Sequence, residues 1–277
     1  MKTVIAIDSF KGSMTSMEAG NAAAAGVKAV FPDAEIVVRP LADGGEGTVE
    51  ALTTGMGGRM ETALVSDPLG RKISASYGIL EENKTAVIEM AAAAGLPLLS
   101  KEERNPLHTT TYGVGELIRD AIRKGCRHFI VGIGGSATND GGVGMLSALG
   151  FEFLDKSGQP VRNGAAGLAD LAEIRSGHVL PVLKECTFRV ACDVENSLCG
   201  ELGCSSVFGP QKGADKKSIR QMDQWLFSYA QLTKEHFLQA DENCPGAGAA
   251  GGLGFAFQSY LGARLEPGIR IVLEETG

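Results

Sequence analysis

Residues 128–149 constrain most tightly the kind of fold this chain can adopt. His128-Phe129-Ile130-Val131-Gly132-Ile133 is a short apolar run of buried-strand character, and Val143-Gly144-Met145-Leu146-Ser147-Ala148-Leu149 can start a helix. Between them lies Gly134-Gly135-Ser136-Ala137-Thr138-Asn139-Asp140-Gly141-Gly142, whose four glycines let the backbone turn tightly and come close to a ligand. Backbone N–H groups at such a turn, next to a helix start, attract an anion. The loop also carries hydroxyls, an amide and a carboxylate, a richer set than a plain turn requires.

The same strand–loop–helix grammar recurs along the chain. Residues 3–7 form a first apolar strand. Thr15-Ser16-Met17-Glu18 fits a capping box, and an alanine-rich helix follows to about Val30. Glu35–Val38 is a second strand, parallel to the first, and a helix is expected near Val49–Thr54. Residues 59–104 break the alternation: strands at Glu61–Val65, Ile73–Ile79 and Thr85–Met90 are joined by turn sequences without helices. A helix with Val114, Leu117, Ile118 and Ala121 on one face then precedes the strand at 128–133. Phe188–Cys192 is a further strand, Ser218–Leu238 a long amphipathic helix, and Ile269–Leu273 a last strand. The fold class is α/β, with a Rossmann-like, mostly parallel sheet domain, a second and smaller α/β domain, and a cleft between them. The main domain is assigned to 1–58 plus 105–277, and the smaller inserted unit to 59–104, joined by part of 195–265.

Composition narrows the partners. A net charge of −7 argues against a nucleic-acid ligand, which calls for a basic face. No apolar run approaches a membrane span, and the N-terminus lacks the form of a secretory signal. Six cysteines without a C-x-x-C pair, and only four histidines, give no zinc pattern and suit reduced thiols in a cytoplasmic protein.

Four polar clusters sit at expected strand ends. Asp8-Ser9-Phe10-Lys11-Gly12-Ser13 places a lysine in a small-residue loop, where it can meet phosphate as a point charge. Asp43-Gly44-Gly45-Glu46-Gly47-Thr48 can hold a divalent ion through carboxylates or simply cap the next helix. In the loop at 134–142, Ser136, Thr138, Asn139 and Asp140 suit a phosphate, a hydroxyl or a metal, although Asn-Asp-Gly also makes ordinary turns. Asp193 closes a strand and can take a proton from a substrate hydroxyl, and a lone aspartate there can equally be structural. Gln211 and Lys212 follow in a glycine- and proline-rich stretch, the lysine a second candidate phosphate partner. There is no Gly-Lys dipeptide and hence no Walker A loop. The one G-x-G-x-x-G, Gly246–Gly251, follows Asn243-Cys244-Pro245 and no strand, so it reads as a helix start packed closely through small residues.

Taken in order, these segments resemble the bacterial type-1 glycerate kinase family. The matching stretches are Asp8–Ser13, Ala42–Thr48, Gly134–Gly142, Cys192–Val194, Phe208–Ala214 and Pro245–Gly254. The resemblance implies transfer of the ATP γ-phosphoryl group to a hydroxyl of D-glycerate, the 2-position favoured, with Mg²⁺. It implies Asp193 as general base and Lys11 as a second catalytic group. Asp8, Ser9, Asp43, Gly44, Gly134, Gly135, Ser136, Thr138, Asn139, Gln211 and Lys212 would bind substrate or phosphate, and Asp140 the metal. A homodimer is among the assemblies it allows. Family members continue past the strand expected at 269–273, so the chain is expected to lack their C-terminal part. The competing readings are an NAD-dependent hydroxy-acid dehydrogenase and a non-catalytic ligand-binding fragment.

Overall fold

The computed structural model describes residues 1–8, 10, 13–40 and 48–276. The chain opens with β1 (Lys2–Ile7), α1 (Ser16–Val30), β2 (Glu35–Pro40) and α2 (Thr48–Gly55). Next come β3 (Arg59–Ser66), β4 (Lys72–Leu80), β5 (Thr85–Glu89) and the one-turn α3 (Ala91–Ala94). α4 (Tyr112–Arg123), β6 (His128–Gly132), α5 (Val143–Ala148) and the strands β7 (Glu152–Asp155) and β8 (Leu171–Arg175) follow. The last part holds β9 (Thr187–Ala191), α6 (Cys204–Phe208), α7 (Lys216–His236), α8 (Ala249–Leu261), β10 (Arg264–Glu266) and α9 (Gly268–Thr276).

The central sheet has six strands in the order β10-β9-β6-β5-β4-β3. β10, β9, β6 and β5 are mutually parallel, while β4 and β3 continue the sheet antiparallel. The strands of 59–104 thus join the central sheet through β5, which pairs with β6, and do not form a sheet of their own. Alternation assigns the two faces. Ala86 and Ile88 of β5, Phe129 and Val131 of β6, and Phe188 and Val190 of β9 face a large core shared with α4, α5, α7 and α8. Val87, Ile130 and Ala191, one residue out of step, face a smaller core with Val49 and Leu52 of α2 and Ile271 and Val272 of α9. Burial on both faces is what the near-continuous apolar runs of β5 and β6 require.

β1 and β2 form a separate parallel pair, in register from Lys2–Glu35 to Ile7–Pro40, joined by α1. The capping box is present: Thr15 Oγ1 accepts the Glu18 N–H at 3.2 Å, and Glu18 accepts the Thr15 N–H at 2.8 Å. The strand expected at 269–273 is instead the helix α9. Its apolar residues do not alternate: Ile271 and Val272 are buried side by side, and Ile269 and Leu273 are exposed. Pro267 stands just ahead of the first turn, and the first helical N–H, that of Gly268, is accepted by the Asp193 carboxylate. Both features favour a helix start over a strand. The helix is docked by Arg189 of β9, which binds Glu266, Glu274 and Glu275. All six cysteines are free thiols, and no helix among the described residues is long and apolar enough to cross a membrane.

Candidate active site

A cavity of about 240 Å³ opens at the C-terminal ends of β6 and β9, the edge where open parallel sheets place ligands. Ile133, Gly134, Gly135 and Ser136 line it after β6, and Ala191, Cys192, Asp193 and Val194 after β9. Phe208 and Gln211 form a further wall, and Ala249 and Ala250 the last. Its size suits a small organic acid or one end of a larger ligand. Five expected site residues therefore meet in one place: Gly134, Gly135, Ser136, Asp193 and Gln211.

The backbone N–H groups of Gly134, Gly135 and Ser136 donate to no acceptor among the described residues. Gly135 has φ +70°, a left-handed conformation that L side chains rarely adopt. Successive unengaged amides around such a turn form a concavity for an anion. Asp193 is exposed, and its Oδ1 accepts the Gly268 N–H at 3.0 Å. That bond fixes the carboxylate against α9 while it borders the cavity.

Behind the cavity the rest of the loop is held rigidly. Leu96 N–H donates to Gly135 O and Ala137 N–H to Ala94 O, both at 2.9 Å. Thr109 Oγ1 donates to Ala137 O at 2.8 Å, Lys212 Nζ to Thr138 O at 2.6 Å, and Asn139 Nδ2 to Ser205 Oγ at 2.9 Å. Asp140 is fully buried: its Oδ2 accepts Thr111 N–H, Thr111 Oγ1–H and Gly144 N–H, and its Oδ1 accepts Gly142 N–H. Burial pushes its carboxyl up from the ordinary range, while those donors pull it down. Gly141 N–H donates to Gly251 O at 3.0 Å.

The second glycine-rich segment interlocks with the first. A Cβ on Gly251 would lie 2.1 Å from Thr138 O, and one on Gly252 would lie 2.8 Å from Gly141 Cα. Ala250, Gly251 and Gly252 are all left-handed, and Ala250 has φ +53°. Of the G-x-G-x-x-G glycines, Gly248 and Gly251 are pressed against backbone, a Cβ there lying 2.2 Å from Ser197 O and 2.1 Å from Thr138 O, while Gly246 is left-handed and abuts the Cys192 sulfur.

Several expected site residues lie elsewhere. Thr138, Asn139, Asp140 and Lys212 are buried behind the loop and do not line the cavity. The loop folds back through left-handed Gly141 and Gly142, and its polar side chains are turned into the protein rather than toward a ligand. Asp140, expected at the metal, has both oxygens engaged by protein donors and does not line the cavity. Among the described residues no group of three His, Cys, Asp or Glu side chains is placed to hold a metal ion. Asp8 stands exposed just after β1 and does not line the cavity. Ser9, Lys11, Asp43 and Gly44 lie outside the described residues. The sequence reading missed Thr109 and Thr111, which brace the loop, and Glu89, whose Oε1 accepts the Val49 N–H at the start of α2 at 3.0 Å. The run Thr109-Thr110-Thr111, three hydroxyls just ahead of an amphipathic helix, was the available signal.

A sequence profile described as the glycerate kinase family matches residues 3–277. The chain belongs to the glycerate kinase family. It is therefore a kinase. A glycerate kinase of Haemophilus influenzae is 48% identical over 274 residues, covering 99% of the chain and 72% of that protein. The glycerate 2-kinase of Escherichia coli K12 is 49% identical over 272 residues, covering 98% of the chain and 71% of that protein. A crystal structure named for glycerate kinase 2 of Salmonella typhimurium LT2 superposes with a TM-score of 0.97 at 45% identity, over all of this chain and 74% of that one. The matches run through nearly the whole chain and cover 71–74% of those proteins' own length.

Proposed function

We propose that the chain transfers the γ-phosphoryl group of ATP to D-glycerate, with the 2-hydroxyl as acceptor. The family supports the acceptor, and the E. coli relative is named for the 2-position. The observation that carries the chemistry is a carboxylate and three unengaged amides around one small cavity. Phosphoryl transfer depends mainly on positioning and charge neutralisation, and this set can supply both.

In this reading Asp193 is the general base. With Oδ1 held by Gly268 N–H, the carboxylate accepts the acceptor hydroxyl's proton as the new O–P bond forms and the bond to ADP breaks. The amides of Gly134, Gly135 and Ser136 receive an anionic group, either the glycerate carboxylate or the transferred phosphoryl, and Gln211 contributes a neutral polar contact. Lys11, with Asp8, Ser9, Asp43 and Gly44, is proposed on the strength of the resemblance for the phosphate side. Mg²⁺ is expected with ATP; the described residues offer no cluster that holds it, and no step here is routed through it. The packing role of Gly246–Gly251 weighs against the dehydrogenase alternative, whose fingerprint needs those glycines at a cofactor.

A coupled assay for ADP release tests the proposal. D-Glycerate should be required for turnover, and Asp193→Asn should lower kcat about 100-fold with little change in KM. A fall of only a few-fold would return Asp193 to a structural role. NAD reduction without ADP release would overturn the kinase chemistry.

A further inference from the structure

Lys212 is 1% exposed, and among the described residues its ammonium makes one hydrogen bond, to the Thr138 carbonyl at 2.6 Å. Among the described residues no carboxylate lies within ion-pair distance of it. A buried ammonium with one neutral partner is expensive, and an apolar side chain of similar length would be the more stable choice. Packing alone does not account for it.

Its position suggests another use. Lys212 ends the short turn Pro210–Lys212, and left-handed Gly213 follows, where a Cβ would lie 2.1 Å from Arg104 O. The backbone is therefore fixed. Gln211 faces the cavity, while Lys212 reaches behind the opposite wall to the loop that begins at Gly134. The lysine ties two cavity walls together. On either side of its bond, Thr138 Oγ1 and Asn139 Oδ1 are buried without partners among the described residues, so this part of the loop is not self-sufficient in hydrogen bonding.

We infer that Lys212 is a positioning residue that holds Gly134–Ser136 in place from behind and supplies positive charge that draws an anion into the cavity. The inference rests on the reading of the cavity as a phosphate-handling site. The titratable groups facing the ammonium are Asp140 of the loop and Cys204 of α6. Burial lowers the Lys212 ammonium to about 8 and raises the Cys204 thiol to about 11. Between pH 7 and 9.5 the lysine is thus the group of this set that loses its charge.

Inorganic sulfate is a suitable probe, because it is tetrahedral and does not titrate in that range. Calorimetric titration of the full chain should give a sulfate Kd that rises about 10-fold or more from pH 7 to 9.5. Lys212→Met, confirmed folded by a thermal melt, should bind sulfate at pH 7 as weakly as wild type does at pH 9.5, with no pH dependence. A flat wild-type profile, no sulfate binding by folded wild type, or unchanged binding in the variant would overturn the inference. If the variant does not fold, the wild-type profile alone decides. Failure of the glycerate kinase reading looks different: sulfate behaves as expected, but D-glycerate yields no ADP.

Discussion

The cost of burying Lys212 can be measured on the fold itself. Desolvation takes its ammonium from the ordinary 10.5 to about 8, against the pull of Cys204 and Asp140. At about 1.36 kcal/mol per unit, the charged lysine costs the folded chain roughly 3 kcal/mol below pH 8. The folded value lies below the unfolded one, so from about pH 8 to 10.5 the unfolded chain binds more protons and stability rises with pH. Between pH 7 and 9.5 that gain comes to about 2 kcal/mol. Methionine has no charge to lose, and its substitution forfeits one hydrogen bond worth about 1 kcal/mol. Lys212→Met should therefore be more stable than wild type by about 2 kcal/mol at pH 7, and nearly equal to it at pH 9.5. Urea denaturation of both proteins at the two pH values reads this directly, and tyrosines and other lysines cancel in the difference. A difference that stays constant with pH would refute the reasoning. So would a variant destabilised by more than about 2 kcal/mol at pH 7.

Two further substitutions probe the interlocked loops. Gly251→Ala places a Cβ in a left-handed backbone against the Thr138 carbonyl, and should cost about 3 kcal/mol or more in a urea melt; a loss under 1 kcal/mol would show that the two segments can separate freely. Asp140→Asn sets an amide against donors from Thr111, Gly142 and Gly144. It should cost about 2–3 kcal/mol and reduce turnover with it, whereas full activity in a stable protein would show that the socket does not position the loop.

Much of the fold was legible because its signals are local. The capping box at Thr15 fixed the start of α1, and the apolar runs around Ile88 and Ile130 marked strands buried on both faces. The strand-end rule carried the reading from Gly134 and Asp193 to one cavity. What could not be read depends on direction and distance. Asp140 and Lys212 are residue types that bind metals and phosphates, yet both point behind the loop, and only tertiary packing decides which way a glycine-rich turn presents its side chains. The segment 268–276 misled because its β-branched run suggests a strand, while its helical start is capped by Asp193, 75 residues earlier. The pairing of β5 with β6 was hidden for the same reason: register between distant strands leaves no trace in either one.

The cavity joins residues 133–136, 191–194, 208 and 211, and 249–250, four segments spread over more than a hundred positions of chain. No local piece of the molecule contains half of it. Closing such loops is slow compared with forming helices and hairpins. On refolding, catalytic competence should be among the last properties to return, well after helical content is complete. Enzyme activity in this chain is thus a report on the entire sheet, and a stalled intermediate would be rich in structure yet silent in assay.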